Sequence, residues 1–206
     1  CIEANGGFVI HYLGDGIMAL FPSGDASALR AAVEMQKALR MCQGEHSTND
    51  FYLNMSIGIH EGPVALGIVG DENRWDASII SDAVNTSARI EAKTRALGGE
   101  ILVSREFIDT LQQGKEFQTR SLGLHEIRGR SGMTELIEVM DSLEESVLMG
   151  RKQTLSDFNY GVAAYRDNDM YLAMSCFSRV LSREPEDKAA QLFLARIAKK
   201  LASDRL

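Results

Sequence analysis

The 206-residue chain carries 29 acidic and 22 basic side chains, net −7, with 45% apolar residues, 25% charged residues and 3 prolines. That balance excludes low-complexity disorder and leaves apolar surface for one substantial core or two modest ones. Apolar runs such as 17–21 stop far short of the ~20 residues of a membrane span, and the acidic balance makes nucleic acid an improbable partner.

In chain order, residues 8–13 and 17–21 are β-rich runs joined across Gly14-Asp15-Gly16, a hairpin signal stopped by Pro22. From 25 to 42 the period turns helical, with Leu29, Ala32, Val33, Gln36 and Leu39 on one face, Asp25 as N-cap and Gly44 as stop. Residues 51–60 alternate as a half-buried strand, Glu61-Gly-Pro63 turns the chain into 64–69, and 70–76 reads as a polar loop. A helix is expected over 82–97, a strand over 101–103, a short helix over 105–112 and a closing strand over 135–139. Helices and hairpins interspersed in this way predict an α+β unit with a largely antiparallel sheet.

The polar stretch Asp141-Ser-Leu-Glu-Glu-Ser146 marks a junction, and the charge changes there. Residues 1–150 are net −10 and 151–206 net +3. Domains are therefore expected at 1–145 and 146–206. The tail has a helical period throughout, and Gly161, Ala173, Phe177 and Pro185 at offsets 0, 12, 16 and 24 resemble one tetratricopeptide repeat plus a following helix. A lone repeat cannot bury its apolar face, so the tail should dock on the first unit or on a protein partner. Cys1, Cys42 and Cys176 are odd in number and lack CxxC spacing, which argues for a reducing, cytoplasmic compartment without a disulfide framework. The start at Cys1 shows neither a basic n-region nor an apolar h-region, so no signal peptide is expected and the chain is expected to be a fragment.

Three segments taken in order, Gly6-Gly-Phe-Val-Ile-His-Tyr-Leu-Gly-Asp-Gly-Ile-Met-Ala-Leu-Phe21, Ser56-Ile-Gly-Ile-His-Glu-Gly-Pro63 and Ser81-Asp-Ala-Val-Asn-Thr-Ser-Ala-Arg89, resemble the class III nucleotidyl cyclases over roughly residues 1–140. The resemblance implies a ferredoxin-like cyclase sheet and a homodimer with nucleotide sites at its interface. It also implies two Mg²⁺ or Mn²⁺ ions per site and attack of the ribose 3′-hydroxyl on the α-phosphate. By itself Asp15-Gly16 is a hairpin turn; the resemblance makes Asp15 the second metal-binding aspartate. The first would lie on an upstream strand that, with its helices and loops, amounts to about 40 residues by average element lengths.

Asn85 and Arg89, four apart on one helix face, match the pair that orients the ribose and stabilises charge on the transferring phosphate. Arg128 stands where the family has a triphosphate-binding Lys. For base selection the family's adenylyl cyclases place Lys at the position of His11 and Asp or Thr at that of Ser78. Here His11 and Ser78 are each able to donate or accept, so either purine can be read. ATP is favoured over GTP by the overall resemblance. The alternative is an inactive homology domain that binds nucleotide or dimerises, with the tail as an interaction module. His60 and Glu61 are assigned no catalytic role. In the shared site Asp15 and Arg128 are expected from one protomer, with Ser78, Asn85 and Arg89 from the other.

Overall fold

Alternating short strands and amphipathic helices produce a mixed α+β unit followed by helices only. The computed structural model describes residues 1–45, 53–71, 74–111, 116–130 and 132–203. After a 3-10 turn at Glu3–Asn5, β1 (Phe8–Leu13) and β2 (Gly16–Leu20) form an antiparallel hairpin, Leu13 pairing with Gly16. α1 (Ser27–Glu45) follows, its start held by Asp25, whose Oδ1 accepts from Ser27 N at 2.8 Å. The helix runs through Gly44, which was expected to end it.

The alternation over 51–60 resolves into β3 (Ile57–Ile59), with 53–56 irregular and 51–52 outside the described residues. β4 (Ala65–Asp71) pairs with β5 (Arg74–Ile80) from Ala65↔Ile80 to Asp71↔Arg74. The polar loop expected at 70–76 is therefore a hairpin end, with 72 and 73 outside the described residues. The helix expected over 82–97 divides into α2 (Asp82–Glu91) and α3 (Thr94–Leu97). Thr94 Oγ1 donates to Glu91 O at 2.7 Å at the break, a local bond that competes with the helical ladder.

β6 (Ile101–Ser104), α4 (Arg105–Thr110), β7 (Thr119–Glu126) and β8 (Met133–Val139) complete the unit; β7 was not anticipated, and Gln112 of the expected helix lies outside the described residues. The larger sheet has the order β3-β6-β8-β7, parallel only between β3 and β6.

Alternation along β6 and β8 explains the layering, since successive side chains leave opposite faces of a strand. Ile101, Val103, Ile137 and Val139 pack with Ala28, Leu29, Ala32 and Val33 of α1. Leu102 and Leu136 face the other way, into a core shared with Ile90 and Leu97 and with the helices that follow. Those helices are α5 (Glu145–Arg166), α6 (Met170–Arg183) and α7 (Lys188–Ser203).

Phe158, Phe177 and Phe193 tie the three helices together. Phe177 stacks on Phe193 at 4.6 Å and meets Phe158 edge-on at 5.4 Å, contacts worth about 0.5–1.5 kcal/mol each beyond area burial. Gly161 lets α5 approach α6, because a Cβ there would lie 2.9 Å from the Phe177 ring. The expected docking of the tail on the first unit is what the shared core shows, and fully buried charges reinforce it. Arg120 on β7 reaches Glu138 on β8 at 2.7 Å and Asp187, just before α7, at 2.6 Å, while Arg151 on α5 also meets Asp187 at 2.5 Å. Arg120 lies over the Phe158 ring at 4.0 Å. No helix of the described residues is long and apolar enough to cross a membrane.

Candidate functional site

Helix α2 is positioned by the glycines of the segment before it. At Gly58 on β3 a Cβ would lie 2.3 Å from Ser87 O and 2.4 Å from Glu91 N, so only glycine lets the helix cross the strand so closely. At Gly62 a Cβ would meet Ala83 at 2.8 Å. Ser81 caps the helix, accepting from Ala83 N at 3.0 Å while its hydroxyl donates to Pro63 O at 2.7 Å. Ala83, Thr86 and Ile90 form the buried face. Asn85 is left exposed and Arg89 half-buried.

The turn after β7 supplies the next group. Arg130 N donates to Ile127 O at 3.0 Å and Gly129 has φ +77°, a conformation that favours glycine at the third turn position. Buried Ile127 anchors this turn, which presents exposed Arg128. The Arg89 guanidinium lies directly against Gly129, where a Cβ would come within 2.7 Å of its Nη1. Arg130 turns elsewhere, to Glu106 at 3.2 Å.

Arg89 and Arg128 thus share one cleft of about 670 Å³, lined also by Ala92, Lys93, Glu126 and Arg196. Four cations face one carboxylate there. Among the described residues no carboxylate lies within 4.0 Å of the nitrogens of those four cations, so no described residue pairs with them at ion-pair distance. Such a cleft has the charge to attract anions, and planar guanidinium forks suit phosphate oxygens.

Asp15 and His11 lie elsewhere, on the β1–β2 hairpin. Asp15 is exposed at the tip, and half-exposed His11 pairs in register with Met18. Ser78 pairs through its backbone with Gly67 on the β4–β5 hairpin. Within one chain the turn bearing Arg128 packs on Arg89, so the two cations border one cleft, whereas the resemblance places Arg128 with Asp15.

As an oxygen donor, the Asp15 carboxylate suits Mg²⁺ or Mn²⁺, ions that retain waters and take phosphate oxygens beside one or two carboxylates. Among the described residues it joins no group of three His, Cys, Asp or Glu side chains able to hold a metal.

His60 and Glu61 are absorbed by structure. His60 Nδ1 shares a 2.7 Å hydrogen bond with Ser104 Oγ, and Glu61 accepts from Thr110 Oγ1. Burial, aided by Arg130, lowers the pKa of His60. The cleft residues that sequence reasoning missed are Lys93, Glu126 and Arg196. Lys93 follows Arg89 by four positions, a spacing that would have found it. Arg196 belongs to the tail and carries no such local signal.

Residues 2–139 match the sequence profile of the adenylate and guanylate cyclase catalytic domain. An adenylate cyclase of Anabaena cylindrica is 37% identical over 145 residues, covering 67% of this chain and 29% of that protein. A terminal-differentiation-specific adenylate cyclase of Dictyostelium discoideum is 28% identical over 204 residues, covering 95% of this chain, tail included, and 9% of that protein. The chain thus spans a minor part of these curated relatives. Among solved structures, a bacterial light-regulated adenylyl cyclase is similar with a TM-score of 0.62 at 26% identity, covering 75% of this chain and 45% of that one. A guanylyl cyclase gives a TM-score of 0.56 at 28% identity, covering 67% and 72%.

Proposed function

The chain belongs to the adenylate and guanylate cyclase catalytic domain family, and we propose that it is the catalytic region of a homodimeric adenylate cyclase. The observation that carries this reading is the convergence of Arg89 and Arg128 on one cleft with excess positive charge. The Anabaena and Dictyostelium relatives are named adenylate cyclases, which favours ATP over GTP.

In the proposed reaction the ribose 3′-oxygen forms a bond to the α-phosphorus as the bond to the β-phosphate oxygen breaks. Cyclic AMP and pyrophosphate are the products, and the 3′-hydroxyl proton passes to solvent water. Arg128 holds the triphosphate before the reaction. Arg89 donates to oxygens on which charge grows during transfer, and its place against Gly129 organises it in advance. Asn85, one turn earlier on α2, orients the ribose. His11 and Ser78 read the base edge, His11 N–H donating to adenine N1 and Ser78 accepting from the 6-amino group.

Asp15, from the partner's hairpin, would hold one of two Mg²⁺ or Mn²⁺ ions. When bound, such an ion neutralises phosphate charge and lowers the pKa of the attacking hydroxyl. A cytoplasmic setting suits a chain whose buried Cys176 remains a thiol. The tail is read as tetratricopeptide-like, its small Gly161 and Ala173 at the α5–α6 contact supporting that assignment.

A second reading has its own support. His11 stands in place of the family's Lys, which suits a homology domain that binds nucleotide or dimerises without turnover. Assay of the full-length protein with ATP and GTP separately, in Mn²⁺ and then Mg²⁺, decides between them. Equimolar cyclic AMP and pyrophosphate from ATP is the expected result. A folded dimer that releases neither product from either nucleotide refutes the catalytic reading.

A further inference from the structure

One wall of the cationic cleft comes from outside the residues that match the cyclase profile. Arg196, on α7, lines it beside Arg89, Lys93 and Arg128. Its place is fixed from two directions. At the start of α7, Asp187 is clamped by Arg120 and Arg151 and caps the helix by accepting from Ala190 N at 3.1 Å. Nine residues on, roughly 14 Å along the helix axis, Arg196 Nη2 donates to His125 Nδ1 at 3.3 Å.

The tautomer of His125 supports this bond. Its Nε2–H donates to Leu122 O at 3.0 Å, which leaves Nδ1 as the acceptor. Burial lowers the His125 pKa to about 4, so at neutral pH the ring accepts from Arg196 rather than repelling it. One N–H of the guanidinium is used in this way. Of the five N–H groups a guanidinium carries, no other is bonded to a described residue.

We propose that Arg196 makes the helical tail part of the phosphate site, contacting the triphosphate of the bound nucleotide or the pyrophosphate released from it. This rests on reading the cleft as phosphate-binding. It adds that the cyclase unit and its tail bind the anion together. The buried ion pairs of Asp187 with Arg120 and Arg151 then also hold a ligand-binding residue in place.

The test is calorimetric binding to the 206-residue chain and its variants, with inorganic pyrophosphate and a non-cyclisable ATP analogue as separate probes. Arg196→Ala and Arg196→Gln, the latter keeping a donor for His125, should each weaken pyrophosphate about tenfold or more. Arg196→Lys should recover part of the loss, and Arg183→Ala on α6 should stay within about twofold of the parent. Thermal midpoints establish that each variant is folded, and Arg196→Gln carries the test if Arg196→Ala is not. Weakening of both probes identifies the triphosphate contact, and weakening of pyrophosphate alone identifies a product contact. Either supports the assignment.

Pyrophosphate binding lost in Arg128→Ala but intact in both Arg196 variants overturns the tail's part and leaves the cyclase reading standing. Loss in the Arg196 variants, with no cyclic product from the full-length protein, upholds Arg196 and removes the cyclase reading. A parent chain that binds neither probe overturns the assignment.

Discussion

Replacing Asp187 by Ala removes the carboxylate that, among the described residues, pairs a tail residue with the sheet. Asp187 is fully buried, within 2.6 Å of Arg120 and 2.5 Å of Arg151. After its removal Arg120 retains Glu138 at 2.7 Å, whereas no other carboxylate of the described residues lies within 4.0 Å of Arg151. Breaking a buried pair so that one charge is left uncompensated costs about 3–5 kcal/mol. Loss of the α7 cap adds about 1 kcal/mol. Against a typical domain stability of about 5–15 kcal/mol, that is a large fraction.

Urea denaturation followed by circular dichroism should show the loss as a lower midpoint in one transition, since sheet and tail share a core. Asp187→Asn keeps the cap acceptor and should cost less. Adding Arg151→Met to Asp187→Ala should recover part of the loss, because it removes the stranded guanidinium. A cost under ~1 kcal/mol for Asp187→Ala would refute the burial argument. So would a separate early transition confined to the tail helices.

Arg89→Ala in the full-length protein should lower kcat by about 10²–10³ with KM for ATP little changed, since its bond strengthens in the transition state. Arg128→Ala should mainly raise KM, and steady-state kinetics of folded dimers distinguish the two effects. Gly129→Ala combines a strained φ of +77° with a Cβ 2.7 Å from Arg89 Nη1, so it should reduce kcat as well as stability; unchanged kcat would remove this contact from the mechanism.

Burial of His125 lowers its pKa from 6.5 to about 4. The unfolded chain therefore takes up that proton first, and stability should fall as pH drops from about 6.5 to about 4, by on the order of 3 kcal/mol from this group. Urea titrations of the parent and His125→Gln test it, the variant losing less stability over that window; equal losses would contradict it.

The hairpin around Asp15, the helix bearing Asn85 and Arg89, and the helical tail were legible because each rests on local signals: a turn or a 3.6-residue period. β7 was not. Its buried positions include Arg120 and His125, whose polarity reads as solvent exposure until Glu138, Asp187 and Arg196 are seen around them. β5 was hidden because Arg74, Trp75 and Asp76 extend a polar stretch, and only pairing with β4 makes it a strand. The place of Arg128 beside Arg89 depends on a glycine turn meeting a helix about forty residues earlier in sequence, which no spacing rule encodes. Family likeness named both residues and expected them from opposite protomers; the packing of the Arg89 guanidinium on Gly129 brings them to one cleft of a single chain.

The most direct test of a shared catalytic site is complementation in the full-length protein. Asp15→Ala and Arg89→Ala protomers, each inactive alone, are mixed after unfolding and refolding, and cyclic AMP production is measured. Half the dimers are then mixed, each with one intact site of two, so activity should recover to about a quarter of the parent. Arg89→Ala mixed with Arg128→Ala should give only the average of the two variants assayed alone, because every site then lacks one of the two residues. Failure of the first pair to recover, with mixed dimers demonstrated, would contradict the shared site, and recovery by the second pair would contradict its division between protomers.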